Sequence, residues 1–405
     1  MDSIKLRKEA LEIEQEVIQI RRHIHENPEL GFEEFETSKF IAEKLEQLGY
    51  EIIKNVGITG VVGILRGDQP GPCVLFRADM DALKVDENSG DPHASKKPGI
   101  HHACGHDGHV AMLLGFAKII STWKSKIKGI VKLCFQPAEE GLAGAKKMIE
   151  EHVLENPNVD MCFGAHLVNY EYPGYVRCVP GPITANSDRI FIDIEGLGGH
   201  ASTPQDAKDA VVIGCQLVTA MQTITSRNLS PYETGTISIG KIESGTQANV
   251  IASKCRIEGD NIKQNYQQIN YDLKTQSLFE ERLNQLCNGF AISYDCKINL
   301  VFKKLYPATI NDQKCYELAI ESIKKVVGES NLKKKDFGLA GEDFSFFSLQ
   351  KPSCYFCIGS APQNSLINDG TIALRPHHSP FFTIDESSLV IGVSIWVQML
   401  EDIMC

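Results

Sequence analysis

A short histidine-rich loop constrains this chain more than any other feature. Residues 101–109 contain four of the chain's 12 histidines, one cysteine and one aspartate, interrupted by two glycines. Cys104 and His106 can converge on one cation because Gly105 lets the backbone turn sharply between them. Sulfur and nitrogen ligands together suit zinc or a neighbouring transition metal. The loop therefore predicts a metal site, with a buried polar loop as the alternative.

An apolar helical pattern follows this loop directly. Apolar residues recur at helical spacing from Val110 to Ile120. The cluster is thus expected where a loop enters the N-terminus of a helix. A solvated histidine tract would lack the interleaved Cys-Gly-His pattern and seldom leads into an apolar helix.

Composition narrows the class of protein. The 405 residues are 42% hydrophobic and 23% charged, which predicts a soluble globular protein of two or three domains. A net charge of -11 argues against nucleic acid and anionic membranes as partners. The first residues alternate in charge, no run of 18 apolar residues occurs, and the 13 cysteines are scattered singly. We therefore expect a cytoplasmic protein that binds a small molecule and makes no membrane contact.

Strand and helix patterns alternate along most of the chain. Short apolar runs bounded by glycine or proline are typical of strands that are buried on both faces. This order predicts an α/β fold, a sheet with helices on both faces. The predicted strands are 60–65, 73–76, 130–135 and 159–165, and the predicted helices include 6–24, 33–48, 144–153, 311–327 and 385–404.

Acids or imidazoles follow several predicted strands. Ligands bind beyond the carboxyl ends of strands in such sheets, so these side chains are candidates for one site. Each alone is better explained by a helix cap or a satisfied core group, but together with the 101–109 loop they favour a site. They are Asp79, Asp81, Glu139, Glu140 and His166, with His377 and His378 in a later proline-bounded loop.

The middle of the chain has a different order. Predicted strands 189–195, 235–242, 249–257 and 291–301 enclose predicted helices 206–226 and 263–287. This β-α-β-β-α-β order is that of a ferredoxin-like α+β unit. We predict a catalytic domain in two parts, 1–186 and 303–405, with an inserted lid domain at 187–302. A glycine-rich turn at 196–204 exposes His200, but its spacing fits neither a dinucleotide nor a P-loop fingerprint.

Six motifs in order resemble one family over nearly the whole chain from Arg22. Their series is similar to that of the hippurate hydrolases and indoleacetyl-amino-acid amidohydrolases, a branch of the aminoacylase and carboxypeptidase G metallopeptidase superfamily. The motifs are RHIHENPELG (22–31), RADMDAL (77–83), HACGHDGH (102–109), QPAEEG (136–141), GGHA (198–201) and GEDF (341–344).

The resemblance implies a catalytic domain with a two-metal centre and a smaller lid that mediates homodimerisation. It makes Glu139 the general base and Asp81 the acid that orients a ligand histidine. The two divalent ions are expected to be zinc, manganese, cobalt or nickel. The implied metal ligands are Cys104, as a bridge between the ions, with His106, Glu140, His166 and His378.

Other residues have looser assignments. In the family, the histidine matching His200 reaches the partner subunit's site and stabilises an oxyanion, and Asn249 is expected to assist it. Asp79 and His109 are explained by the metal surroundings or by helix capping. His377 is expected to pack or line the cleft, and Glu342 and Asp343 to have supporting roles.

The implied activity is hydrolysis of the amide of N-acyl amino acids to a carboxylic acid and a free amino acid. Dipeptidase or carboxypeptidase action and a metal-binding homologue without turnover are the alternatives. One departure from the family is notable: where relatives carry Gly-Thr-x-Arg, this chain has Gly259-Asp260-Asn261-Ile262. Without that arginine, we expect a shifted or relaxed preference for the amino-acid half of the substrate.

Overall fold

The computed structural model describes residues 4–231, 234–264, 269–333, 341–367 and 372–405. Within those ranges the chain forms two compact units. The large unit draws on Met1–Ile183, Thr309–Phe337 and Asp343–Cys405, and the small unit on Thr184–Ala308 and Gly338–Glu342. The segment predicted as the lid, 187–302, falls inside the small unit; its boundaries as a domain stay a prediction.

The helices carry the apolar periodicity that the sequence shows. In chain order the described α-helices are α1 (Lys8–Glu12), α2 (Glu14–Glu26), α3 (Phe35–Gln47), α4 (His106–Ile120), α5 (Glu139–Leu142), α6 (Gly144–Glu150), α7 (Ala210–Thr223), α8 (Ile269–Ser293), α9 (Gln313–Val327), α10 (Ser345–Gln350) and α11 (Ser387–Met404).

The predicted apolar runs 60–65, 73–76, 130–135 and 159–165 lie largely within strands. The described strands are β1 (Glu51–Val56), β2 (Gly60–Arg66), β3 (Gln69–Asp79), β4 (Lys128–Gln136), β5 (Met161–Val168), β6 (Val176–Arg177), β7 (Gly181–Pro182), β8 (Asn186–Glu195), β9 (Gly199–His200), β10 (Thr234–Ser244), β11 (Val250–Ile251), β12 (Lys254–Gln264), β13 (Lys297–Tyr306), β14 (Ile310–Asn311), β15 (Leu332–Lys333), β16 (Ser353–Gly359), β17 (Leu366–Ile367) and β18 (Ile372–Ala373).

A mixed sheet organises the large unit. Among the described residues its strand order is β1-β2-β4-β3-β5-β16-β6-β15. Alternate residues of β3 face opposite cores: Phe76 packs with residues of α2, α4 and α11, and Leu75 packs with residues of α6 and α10. The predicted α/β sheet with helices on both faces is therefore confirmed.

The parallel strands at the centre of this sheet bring polar residues to one edge. β3 pairs in parallel with β4 and with β5, which places Asp79 directly opposite Gln136. His166 lies near the end of β5. Its ring is close to His106, the first residue of α4. Carboxyl ends of parallel strands meet at such an edge, so the fold itself gathers the candidate residues.

The small unit is ferredoxin-like, as predicted. Its elements run β8-α7-β10-β12-α8-β13, and its four-stranded antiparallel sheet has the order β10-β12-β8-β13. Ile190, Ile192 and Ile194 point from β8 into a core that also contains residues of α7 and α8. A short ribbon of β9 and β11 pairs His200 with Val250.

Several local predictions were wrong. The predicted strand 249–257 is divided between β11 and β12, which belong to different sheets. The first helix is interrupted at Ile13, whose ψ of 6° leaves the helical region, so α1 and α2 are separate. The predicted helix 263–287 starts too early, because Lys263 belongs to β12. It also ends too early, because α8 continues to Ser293. Consequently the last strand of the small unit begins at Lys297 and not at 291. Edge strand β1 was not anticipated, because it is largely exposed and its sequence, EIIKNV, has no apolar run longer than two residues.

Helix α11 is long and apolar enough to cross a membrane by length and composition alone. In the structure 72% of that window is buried inside the fold. Its apolar residues pack with those of α4 and α9 in the core of the large unit. This burial is that of a core helix in a globular unit.

Candidate metal centre

Gly105 sets the geometry of the histidine-rich loop. Its φ of 89° is in the left-handed region, which glycine adopts without strain. The turn lies between Cys104 and the first residue of α4, His106. Both side chains consequently face the same space, as the sequence predicted for this spacing.

The predicted ligands and the predicted base converge in overlapping groups. In each group the potential ligand atoms lie within 4.8 Å of one another. Cys104 Sγ lies 3.5 Å from His166 Nε2, and His378 Nε2 lies 3.1 Å from Glu140 Oε1. The groups are Cys104, His106 and His166; Cys104, Glu140 and His378; and His106, Glu139 and Glu140.

Hydrogen bonds at the rear nitrogens orient two imidazoles. His106 Nδ1 lies 2.9 Å from the Asp81 carbonyl oxygen and 3.2 Å from Asp81 Oδ1. His166 Nδ1 donates to the Leu167 carbonyl oxygen at 2.7 Å. Each ring therefore directs Nε2 into the cluster, and His106 Nε2 is buried with no hydrogen-bond partner among the described residues. Such bonds at the rear nitrogen fix the tautomer that binds a metal.

The two glutamates sit on an irregular turn after β4. Ala138 has a φ of 54°, a left-handed conformation that is costly for a residue with a Cβ. Its N–H donates to Glu34 Oε1 at 2.9 Å, and the N–H of Glu140 donates to Asp81 Oδ2 at 2.9 Å. These two bonds hold the turn so that Glu139 and Glu140 both face the cluster.

The late loop contributes two histidines with different surroundings. His378 is half exposed at 53%, has a φ of 62°, and donates its N–H to the Ala103 carbonyl oxygen at 2.8 Å. His377 Nδ1 lies 3.7 Å from Cys104 Sγ, while its Nε2 accepts from the Asn169 N–H at 3.2 Å. His377 therefore lines the cluster with one ring nitrogen already engaged.

Asp79 and His109 support the site and do not cap a helix. His109 donates from Nδ1 to Asp79 at 2.5 Å and accepts the Leu167 N–H at Nε2, 2.8 Å away. Both of its ring nitrogens are thus engaged. Asp79 also accepts a bond from Arg77 at 2.6 Å. This pair links the end of β3 to α4 and β5 behind the candidate ligands.

A buried network behind the base was missed at the sequence level. Arg77 donates to Asp343 at 2.8 Å and to Gln136 at 2.7 Å, and Asp343 also accepts the Ala145 N–H at 2.9 Å. The Asp343 N–H donates to Glu139 Oε1 at 3.4 Å. The arginine that directly follows an apolar run was the available signal, since a buried arginine requires acidic partners.

The charges in the cluster suit a divalent cation. Burial, then Glu140 and Glu139, raise the pKa of the Cys104 thiol well above its usual value. Burial opposes protonation of His106, but Asp79 and Asp81 prevail and raise its pKa to about 10. Burial lowers the pKa of His166. A cation would take the place of the protons on Cys104 and His106. It would contact His106 Nε2, which is buried without a hydrogen bond among the described residues, and Glu140 Oε1, which lies 3.1 Å from His378 Nε2.

The two candidate residues of the small unit are exposed. His200 Nδ1 lies 2.6 Å from Ser202 Oγ, and Asn249 accepts the Ala201 N–H at its carbonyl oxygen, 3.3 Å away. The described structure places both residues in the β9–β11 ribbon region. Their assigned roles stay predictions.

Comparison with known proteins agrees with this geometry. Thermostable carboxypeptidase 2 of Saccharolobus solfataricus is 38% identical over 393 residues, which is 96% of this chain and 95% of the relative. Hippurate hydrolase of Campylobacter jejuni is 38% identical over 348 residues, 86% of this chain and 88% of the relative. A dinuclear metal-binding peptidase of the M20 family from Bacillus subtilis has a TM-score of 0.79 at 28% identity, covering 96% and 98% of the two chains.

These similarities confirm the predicted family resemblance and the prediction of an amide-bond hydrolase. The similarity to a dinuclear metal-binding peptidase and the candidate ligand groups support binuclear metal binding. They do not specify the metal. Residues 75–402 of this chain match the model of one protein family. The chain belongs to Peptidase family M20/M25/M40.

Proposed function

We propose that this protein is a metal-dependent amidohydrolase that cleaves N-acyl amino acids into a carboxylic acid and a free amino acid. The observation that carries the proposal is the convergence of Glu139 with a sulfur, nitrogen and oxygen donor set at one edge of the sheet. The similarity to hippurate hydrolase, whose name describes cleavage of an N-acyl amino acid, supports the substrate class.

Two divalent cations would be held by Cys104, His106, Glu140, His166 and His378. The mixed donor set favours zinc or manganese and also admits cobalt or nickel. When bound, such ions polarise the amide carbonyl and lower the pKa of a coordinated water to about 7. Asp81 keeps His106 in the tautomer that leaves Nε2 free for this role.

Glu139 performs the proton transfers. Its carboxylate accepts the proton of the attacking water and later donates it to the leaving nitrogen, so that the amine departs neutral. The Asp343 N–H donates to Glu139 Oε1 at 3.4 Å and helps to orient this carboxylate. The buried network of Arg77, Gln136 and Asp343 prevents this turn from shifting during the reaction.

We further propose that the small unit acts as a lid in a cytoplasmic homodimer. His200 would donate a hydrogen bond to the tetrahedral oxyanion in the site of the other subunit, and Asn249 would help to position the substrate. The exposure of both side chains supports a role at another surface. If His200 and Asn249 were buried, they could contact only residues of their own unit.

Carboxypeptidase action is the second candidate, and the 38% identity to a thermostable carboxypeptidase favours it. The same donor set and base would cleave a peptide amide, because the reacting bond is identical. A homologue without turnover is less well supported, since such a protein would have no need of Glu139 beside the ligands.

The test is Glu139→Gln, which keeps the size and hydrogen bonding of the side chain but cannot accept a proton. We expect unchanged metal content and a catalytic rate lowered by several orders of magnitude, measured by mass spectrometry on N-acyl amino acids and dipeptides. Glu150→Gln, on the exposed side of α6, is the matched control. Retention of more than about a tenth of the rate in Glu139→Gln would contradict the assignment of the base.

A further inference from the structure

A second histidine–carboxylate cluster lies in the large unit and shares no residue with the candidate metal centre. It consists of His25 from α2, with Glu87 and His101 from the segment between β3 and α4. Their potential ligand atoms lie within 4.8 Å of one another. The side chains of His25 and His101 are fully buried, and that of Glu87 is 4% exposed.

The spacing of the three donors fits one cation. His25 Nε2 lies 3.1 Å from Glu87 Oε1, and His101 Nε2 lies 3.6 Å from the same oxygen. Two ligands at bond lengths of about 2.0–2.1 Å on a tetrahedral zinc ion are separated by about 3.4 Å. The observed distances lie on both sides of that value, so a small shift of His101 would complete the arrangement.

Two of the donors are already oriented from behind. His25 Nδ1 lies 2.7 Å from Asp107 Oδ2, which is the carboxylate–histidine pairing that fixes metal-binding imidazoles. Glu87 accepts bonds from the Ser95 N–H at 2.6 Å and from Ser89 Oγ at 2.5 Å. These bonds hold His25 Nε2 and Glu87 Oε1 toward the same point, 3.1 Å apart.

The buried ring of His101 lacks the hydrogen bonds that buried polar groups normally form. Neither of its ring nitrogens has a hydrogen-bond partner among the described residues, although the side chain is fully buried. Its backbone is held by reciprocal bonds with Leu83, of 2.9 and 3.0 Å, which keep the ring close to Glu87. Buried polar groups normally have partners, and a cation beside Nε2 would supply one.

The charge of the Glu87 carboxylate is not compensated by a neighbouring cationic side chain of the described structure. Arg21 lies 3.0 Å from His25 Nδ1, but its charge is compensated by Asp107 at 2.6 Å and by Glu386 at 3.3 Å. Glu87 has no arginine or lysine partner in the described structure; its close ionisable neighbours are the two imidazoles. A divalent cation bound there would balance Glu87 without competing with Arg21.

We propose that His25, Glu87 and His101 bind an additional divalent cation of the zinc type, with a structural role. The ion would fasten helix α2 to the segment that leads into Cys104, and water would complete its coordination. The site has two nitrogen donors and one oxygen donor and no sulfur. This distinguishes it chemically from the centre that contains Cys104.

The first experiment counts zinc. Wild-type protein and three variants are dialysed against zinc and then against metal-free buffer, and zinc per chain is determined by elemental analysis. His101→Phe keeps the ring volume and removes no hydrogen bond, and Glu87→Gln keeps the shape of the carboxylate. Glu386→Gln is the control, because it removes a carboxylate beside the same Arg21 without touching a proposed ligand. We expect one zinc fewer per chain in the first two variants and the wild-type number in the control.

Cobalt distinguishes the two centres in the same protein. A thiolate ligand gives cobalt a near-ultraviolet charge-transfer band, which imidazole and carboxylate ligands do not give. His101→Phe should bind one cobalt fewer and keep the thiolate band, whereas Cys104→Ser should lose the band and keep the site at His101. His101→Gln serves as the second variant if the phenylalanine variant fails to fold. An unchanged metal count in folded His101→Phe or His101→Gln overturns the proposal, whether or not the enzyme cleaves N-acyl amino acids.

Discussion

The predicted functional residues of the two units differ in burial and in the hydrogen bonds that fix their side chains. In the large unit His106 is fully buried and its rear nitrogen is fixed by Asp81. In the small unit His200 is exposed, and its ring contacts only Ser202 by hydrogen bonding among the described residues. Both residues were predicted from similar signals, a histidine in a glycine-rich turn.

This difference separates two kinds of function. A metal ligand must be placed to within a fraction of an ångström before the ion arrives, and buried hydrogen bonds provide that placement. A residue that acts on a substrate at another surface has to remain accessible until that surface is present. The roles proposed for His106 and His200 therefore require opposite local environments.

The largest expected effect tests the buried side of this comparison. Cys104→Ser should weaken metal binding by more than about 100-fold and abolish most activity, because an alcohol is a far poorer anionic ligand than a thiol. Isothermal titration with zinc measures the affinity. Cys215→Ser, at an exposed position of the small unit, is the control and should bind metal like the wild type. Equal affinities of the two variants would remove Cys104 from the ligand set.

The next effect tests the exposed side. His200→Ala should lower kcat by about 100- to 1,000-fold with metal content and stability unchanged, since one oxyanion donor is removed and no buried contact is lost. Mixed with Glu139→Gln chains, it should recover part of the activity if His200 acts across a dimer. Confirmed exchange of subunits without any recovery would show that His200 does not act in trans.

The fold was predictable where periodicity and burial agree. The buried strand β2 and the core of β3 were found because both faces are apolar, and α9 and α11 because their apolar residues repeat at helical spacing. Edge strand β1 escaped, since only its last residue is buried. The boundary between β12 and α8 was misplaced because Lys263 and its neighbours carry no strong pattern of either type.

The site was predictable to the extent that chemistry stands next to strand ends in the sequence. Asp81, Glu139 and His166 each follow an apolar run, so their meeting at one sheet edge could be inferred. The partners of Arg77 could not, because Asp343 lies 266 positions away and only the folded chain shows the bond. His25 and Glu87, 62 positions apart, were overlooked for the same reason.

A moderate effect concerns substrate recognition by the small unit. Ile262 lies in β12, with its backbone opposite Thr236 and Ser187; its side chain is outside the described residues. Ile262→Arg should improve kcat/KM for an N-acyl amino acid over its carboxamide by roughly ten- to a hundredfold, the value of a guanidinium–carboxylate pair. Asn261→Arg adds the same charge at the neighbouring position of the strand and is the control.

The interpretation of Ile262 fails under one clear result. If the wild type already prefers the free carboxylate more than about a thousandfold and Ile262→Arg adds nothing, another cation performs this role. Arg256 is a poor candidate, because it is paired with Asp193 at 3.0 Å and with Glu258 at 2.8 Å. Lys254 and Lys84 are exposed and would be the next residues to substitute.

The smallest effect asks whether the buried turn behind Glu139 depends on one carboxylate. Glu34 is fully buried and accepts bonds from the Ala138 N–H and, at 2.6 Å, from Thr59 Oγ1. Burial raises the pKa of Glu34 to about 7, partly opposed by the bond from Thr59. Because the folded-state pKa exceeds the ordinary value of 4.5, the folded state binds more protons between these values. Stability due to Glu34 should therefore be highest below about pH 4.5 and decrease as the pH rises toward 7.

Glu34→Gln removes this titration while its amide oxygen can still accept the Ala138 N–H. We expect the unfolding free energy of the metal-free protein to lose about 1–3 kcal/mol less between pH 4.5 and 7.5 in Glu34→Gln than in the wild type, measured by urea denaturation. Glu33→Gln, at the exposed neighbouring position, should keep the wild-type dependence. Parallel pH profiles for Glu34→Gln and the wild type would mean that Glu34 is ionised in the folded state. In that case the turn would be held by a charge and not by a neutral acid, and Ala138 would owe its left-handed conformation to a stronger bond than the one inferred here.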